Sequence, residues 1–250
     1  MKNNVYPIIT KKHSKNIWRK YIKCIEEYKL LKDGDIVFVP LNTKIYRFAN
    51  EYLCKMLLTM SSEFKMYDIE VILGSDFSMI DKYNCNKVVL PDDFEDTADN
   101  TLWEMLYNGR ISSYLPKEKV MSKEFLELLN NTEQAETQRK NIQTIDEKKY
   151  TVIRPLYLIH TEDILACHNE MISVTGECFD EISLPATPKR KELGYIRNII
   201  DRLSSNNEAV GNNVFGSTVN VDADMLPAYW LKDQKYQFME WYDELKSTCQ

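Results

Sequence analysis

Four carboxylates fall within five residues at Asp92, Asp93, Glu95 and Asp96, interrupted only by Phe94. Acids at that density have two common uses. They gather a divalent cation, without which they would repel a triphosphate, or they sit at a helix N-terminus, where the macrodipole favours negative charge. The second use predicts a helix over 96–107 with Asp96 as its cap. Upstream, Val39-Pro40-Leu41-Asn42-Thr43-Lys44 leaves an apolar run and enters a helical pattern. There, either Asn42 or Thr43 caps the next helix, or that helix N-terminus and Lys44 form a weak anion site. Lys189, Arg190 and Lys191 open a late helix. Cations in a first turn oppose the dipole, so they form either a solvated face or a surface for an anionic partner such as an RNA backbone. The six cysteines, Cys24, Cys54, Cys85, Cys167, Cys178 and Cys249, lack paired spacing, which predicts reduced thiols. Cys167 and Cys178 would hold a soft metal only if other ligands converged on them.

The chain that must position these groups has 250 residues, 44% hydrophobic and 28% charged, enough for a substantial core. No apolar run approaches membrane-spanning length and Met1-Lys2-Asn3-Asn4 opens no signal pattern, so a soluble, cytoplasmic protein without a membrane partner is expected. A formal charge of -6 repels polyanions, so any nucleic-acid contact needs a local patch. Besides 189–191, Lys11, Lys12, Lys15, Arg19, Lys20 and Lys23 supply one near the N-terminus. The 7 glycines are too dispersed to assemble a glycine-rich nucleotide loop.

Ile17, Tyr21, Ile22, Ile25, Tyr28 and Leu31 recur at helical spacing, which predicts an amphipathic helix over 14–31 closed by Asp33-Gly34. Asp35 to Val39 reads as a buried parallel strand. A helix over 46–60, strands over 67–73 and 87–90, and the helix over 96–107 stopped by Asn108-Gly109 follow. Alternating strands and helices imply a doubly wound parallel sheet. Residues 131–149 are nearly devoid of apolar side chains and read as a polar loop. Structure resumes at 150–153, then a helix from about Thr161 and another over 189–203, with Pro188 in its first turn and Thr187 as its cap. The aromatic tail, Tyr229, Trp230, Tyr236, Phe238, Trp241 and Tyr242, is expected to pack on the domain or on a second subunit rather than to form a cofactor box.

Five stretches carry a resemblance: NKVVLPDDFEDT (86–97), LYNGRISSYLPK (106–117), VIRPLYLIHTEDI (152–164), PKRKELGYIRNII (188–200) and NNVFGSTVNV (212–221). In this order they resemble the tRNA 2-thiocytidine synthetases, a family of PP-loop ATPases. The resemblance implies a Rossmann-like α/β PP-loop fold of the adenine nucleotide alpha hydrolase type with a C-terminal helical extension. It divides the chain into an N-terminal helical segment (1–34), a PP-loop domain (35–155, with the polar loop at 131–149) and the extension (156–250). That family adenylates and thiolates a tRNA cytosine, using ATP, magnesium and an iron–sulfur cluster.

The chain departs from the family where the chemistry is done. The Ser-Gly-Gly-Lys-Asp-Ser loop is replaced by Asn42-Thr43-Lys44, whose side chains obstruct the close backbone approach that glycine permits. The His-His-x-Asp-Asp motif reads Asp92-Asp93-Phe94-Glu95-Asp96, and the mid-chain Cys-x-x-Cys is absent. Cys178 lies near the position of the family's C-terminal cluster ligand, but one thiolate holds no cluster. Arg110 and Arg154 match family sequence beside the catalytic cleft. The expectation is a degenerate paralogue with no cofactor, ATP, magnesium and cluster being lost, that holds tRNA or an active relative as a homo- or heterodimer. One alternative is a divergent ATP-dependent adenylating or sulfur-transfer enzyme built on Lys44, Glu95, Asp96 and Arg110, with Asn42, Thr43 and Arg154 about the nucleotide. The other is a homo-oligomeric scaffold or regulator unrelated to tRNA.

Overall fold

A computed structural model describes residues 2–43, 46–121, 149–176, 188–207, 209–220, 228–231 and 234–237. The polar segment over 131–148, Thr187, Lys44, Cys178 and, of the aromatic tail, Phe238, Trp241 and Tyr242 lie outside these residues.

The chain opens with α1 (Lys2–Pro7), two π-helical turns (Ile8–Lys12 and Ser14–Trp18) and α2 (Arg19–Glu27). The expected stripe is buried at Ile17, Tyr21, Cys24 and Ile25, and Gly34 makes the following turn at φ 81°. Then come β1 (Ile36–Pro40), α3 (Phe48–Glu63), β2 (Glu70–Gly74), a short α4 (Ser78–Lys82) that the sequence pattern does not announce, β3 (Lys87–Val89) and α5 (Phe94–Asn108). Strands β4 (Lys117–Met121) and β5 (Lys149–Ile153) precede α6 (Thr161–Thr175), α7 (Pro188–Ser204), α8 (Val210–Ser217) and a hairpin, β6 (Ala228–Leu231) with β7 (Gln234–Gln237). Among the described residues, the region after 155 thus holds three helices, with the hairpin following them.

The main sheet has the order β2-β1-β3-β5-β4. β1, β2, β3 and β5 are mutually parallel, whereas β4 runs antiparallel to β5 along the edge. The fold is a Rossmann-like α/β sheet, and the expectation of an all-parallel sheet is corrected at β4. Antiparallel pairing needs no crossover between neighbouring strands, so β4 can add to the edge of β5 in this direction.

The sheet is covered on both faces, which is why its strands read as continuous apolar runs rather than alternating ones. In β1, Val37 and Val39 point into a core shared with α2, α3 and α6, while Phe38 points into a second one with Phe77 and Ile80. Residues before 34 and after 155, from Val5 to Met171, enter the first core together with the strands. Helix α3 lies between β1, β2 and α6, so it is buried nearly all round. That leaves Asn50 and Glu51 as polar residues inside an apolar helix. Because the strand order reverses at β1, the C-terminal ends of β1 and β3 diverge into a crevice, where open α/β sheets bind ligands. Among the described residues no helix is long and apolar enough to cross a membrane.

Candidate functional site

The loop after β1 approaches the crevice with Asn42 in the left-handed region at φ 58°, a conformation asparagine tolerates better than most residues. Its backbone donors are engaged within the loop and the helix that follows. Asn42 N donates to Glu51 Oε2 at 2.7 Å, Thr43 N to Glu51 Oε1 at 3.4 Å, and Thr43 Oγ1 to the same Oε1. Glu51 is 1% exposed. A carboxylate from the first turn of α3 therefore occupies the position an oxyanion would take on these amides. Burial pushes the Glu51 carboxyl up, while the hydrogen bonds from Thr43 and Asn42 pull it back. Neither Asn42 nor Thr43 caps α3, whose N-cap is Arg47 without a side-chain cap. The capping reading is corrected because α3 starts only at Phe48, several residues beyond Asn42 and Thr43; for the anion reading, Glu51 engages the two loop amides and Lys44 lies outside the described residues.

The acidic run does sit at a helix N-terminus, with a shift in roles. Asp93, not Asp96, is the N-cap of α5, and the two form a reciprocal capping box. Asp93 Oδ1 accepts from Asp96 N at 3.0 Å and Asp96 Oδ2 from Asp93 N at 3.1 Å. Asp93 Oδ2 also accepts from Thr161 Oγ1 at 2.7 Å and from Asn50 Nδ2 at 3.2 Å. Glu95 turns to α6, meeting His160 Nδ1 and Thr161 N, both at 2.7 Å. Burial opposes its charge, but these bonds hold the carboxyl below its ordinary value. Each acid is thus used internally, and no group of three His, Cys, Asp or Glu suited to a metal occurs among the described residues.

A cleft of about 390 Å³ opens at the C-terminal ends of β1, β3 and β5, roofed by α7. Asp92, Asp96 and Asp99 project into it at i, i+4 and i+7, one side of α5 and its approach; Lys189, Arg190 and Arg197 face them from α7. Arg197 clasps Asp99 through Nε at 2.8 Å and Nη2 at 2.6 Å. Arg47 reaches Asp96 at 3.1 Å and Asp93 at 3.5 Å. Arg154 is fully buried, donates from Nε to Asp92 at 2.8 Å and from Nη1 to Leu115 O and Glu118, and lies 4.7 Å from the Tyr114 ring centre. Burial would lower the Arg154 guanidinium, but Asp92 and Glu118 raise it above its ordinary value. Burial drives Asp96 well above the carboxylate range, assisted by Asp93, and pushes Asp99 up to about 6 against the pull of Arg197.

Of the residues that the sequence singled out, Asp92, Asp96, Arg154, Lys189 and Arg190 line the cleft. Arg110 does not: it is exposed beyond the α5 C-terminus and pairs with Glu104 at 2.9 Å. The proposed set Lys44, Glu95, Asp96 and Arg110 is not brought together among the described residues. The 189–191 patch is not a uniform solvated face either. Lys191 is exposed, but Lys189 stands 4.3 Å over the Trp103 ring and Arg190 turns into the cleft. The reason is docking of α7 by Arg197 on Asp99 and by Trp103 Nε1 on Glu192 at 2.8 Å. Arg47, Glu51, Asp99 and Arg197 were missed; the 92/96/99 acidic spacing and the 190/197 basic spacing carried the signal.

Two groups that the cofactors of the resembled family would need are otherwise engaged here. Cys167 is fully buried in the apolar core and burial pushes its thiol up to about 12, the opposite of the thiolate a cluster needs. The amides that would cradle phosphate are occupied by Glu51.

No protein-family model matches the chain, and no curated protein matches it. Among solved structures it is similar to the U34-tRNA thiolase NcsA from Methanococcus maripaludis with its 4Fe-4S cluster, at 10% identity and a TM-score of 0.46, over 85% of this chain and 82% of that one.

Proposed function

We propose that the chain is a degenerate, non-catalytic PP-loop protein related to tRNA thiolation, which holds RNA or an active relative and does not adenylate a substrate. One observation carries this reading: the Glu51 carboxylate on the Asn42 and Thr43 amides. Phosphate binding at a loop before a helix depends on free backbone N–H groups. Here an internal anion engages them, and a nucleotide would have to displace a buried carboxylate and meet its charge. The sequence resemblance supplies the tRNA context. The cationic side of α7 supplies a local attraction for phosphate within a chain of net charge -6.

The test is calorimetry with ATP and magnesium. Heat too weak to fit a dissociation constant below about 1 mM, roughly 4 kcal/mol of binding, is expected. Low-micromolar binding, roughly 8 kcal/mol, would overturn the reading in favour of a divergent ATP-dependent enzyme.

A further inference from the structure

The cleft under α7 contains two buried polar atoms that the salt-bridge network leaves over. Arg154 is fully buried and three of its contacts are satisfied, yet its Nη2 has no hydrogen-bond partner among the described residues. Asn50, 2% exposed, donates to Pro91 O at 2.9 Å and to Asp93, which leaves its Oδ1 without a donor. Both residues line the same cleft. A buried donor and a buried acceptor left unmet are costly, and here both belong to residues that line one cleft. Lys189, on the same lining, has an aromatic ring under its ammonium and no carboxylate at ion-pair distance among the described residues. Arg47, Arg154 and Arg197 each meet at least one carboxylate, whereas Lys189 has none at ion-pair distance among the described residues to compete with a bound anion.

We propose that this cleft binds a small hydroxylated phosphate monoester, its oxyanion held by Arg154 and Lys189 and one of its hydroxyls donating to Asn50. The unmet groups ask for a ligand that carries both acceptors and a donor. Sulfate offers acceptors alone. A volume of about 390 Å³ is at the low end of small-molecule sites, room for a sugar phosphate or a mononucleotide and not for a folded polymer. The proposal goes beyond the proposed function and rests on it only in placing the anion away from the loop that Glu51 fills.

The experiment is calorimetric titration of the whole chain with ribose 5-phosphate, inorganic phosphate, AMP and sulfate at constant ionic strength. Ribose 5-phosphate is expected to bind at least about tenfold more tightly than sulfate, and Lys189→Ala to weaken it by about tenfold, a typical loss for one charge-assisted contact. Lys189 is only half-buried, so this variant keeps the fold. Asn50→Ala should bring ribose 5-phosphate down to the sulfate level and leave sulfate unchanged. Equal affinity of AMP and ribose 5-phosphate assigns recognition to the sugar phosphate, and tighter AMP extends the site to a base; inorganic phosphate binding as tightly as ribose 5-phosphate would show the sugar hydroxyl unused and overturn the monoester. No heat with ribose 5-phosphate at about ten millimolar, equal binding of sulfate, or an unchanged Lys189→Ala would overturn the proposal. Tight Mg·ATP binding that Lys189→Ala leaves intact would sink the proposed function and not this site.

Discussion

Replacing Glu51 with alanine tests the central feature of the loop. The carboxylate accepts one short hydrogen bond from Asn42 N at 2.7 Å, one long one from Thr43 N at 3.4 Å and one from the Thr43 hydroxyl. A hydrogen bond to a charged group contributes about 1.5–3 kcal/mol and a neutral one about 1. The long bond adds little, and part of the gain is offset by the desolvation that raises the Glu51 carboxyl. The net loss in Glu51→Ala is therefore about 3 kcal/mol, read as a drop in the urea midpoint at unchanged slope. Removal also leaves the loop amides facing an emptied anion position. Added phosphate should then stabilise the variant more than the wild type, by about 1.4 kcal/mol when present at tenfold its dissociation constant. Comparing the two proteins cancels both the general salting effect of the anion and any binding in the α7 cleft. A Glu51→Ala protein within about 0.5 kcal/mol of wild type, or one rescued no more than wild type, would refute the idea that Glu51 occupies an anion position.

Asp93→Ala should cost about 3 kcal/mol, more than the usual 1 for an N-cap, because Asp93 is fully buried and also accepts from Thr161 and Asn50; a loss of only about 1 in chemical denaturation would show those two bonds to be dispensable. Burial raises Asp99 to about 6, so the folded state holds that proton more tightly than the unfolded chain, and the contribution of Asp99 to stability falls as pH rises from about 4 to about 6. Urea midpoints of wild type against Asp99→Asn across that range check the sign; a wild type that gains on the variant as pH rises would mean that the Arg197 pair outweighs burial. A Cβ on Gly74 would clash with the Met79 sulfur, so Gly74→Ala should lose about 1–2 kcal/mol, most of it recovered on adding Met79→Ala. Filter binding of tRNA should be detectable at low salt and fall steeply with salt, and Lys191→Ala should lower the salt slope by about 1 if this exposed lysine meets a phosphate. No retention at low salt would remove RNA from the reading.

The sequence by itself determined what depends on near neighbours. The apolar runs at 36–39 and 87–89, the stripe from Ile17 to Ile25, the Gly109 stop of α5 at φ 63° and the α7 span beginning at Pro188 were all legible, because period, propensity and capping act within a few residues. So was the lack of a glycine-rich loop, since the dispersal of the glycines is a matter of residue type. It did not show the antiparallel turn of β4 or which acid caps α5, where Asp93 and Asp96 are alike in type and only the course of the chain after β3 separates them. The candidate site was decided by tertiary structure. Arg197 meets Asp99 across 98 residues and Arg154 meets Asp92 across 62. Such pairs exist only because strand order brings the ends of β1, β3 and β5 to one crevice and α7 docks over it. Glu51 marks the limit of local reading. Its helix was foreseen, but that its carboxylate would turn back onto the Asn42 and Thr43 amides follows from α3 being enclosed by sheet and α6, which leaves a buried charge no water and only those donors to satisfy it.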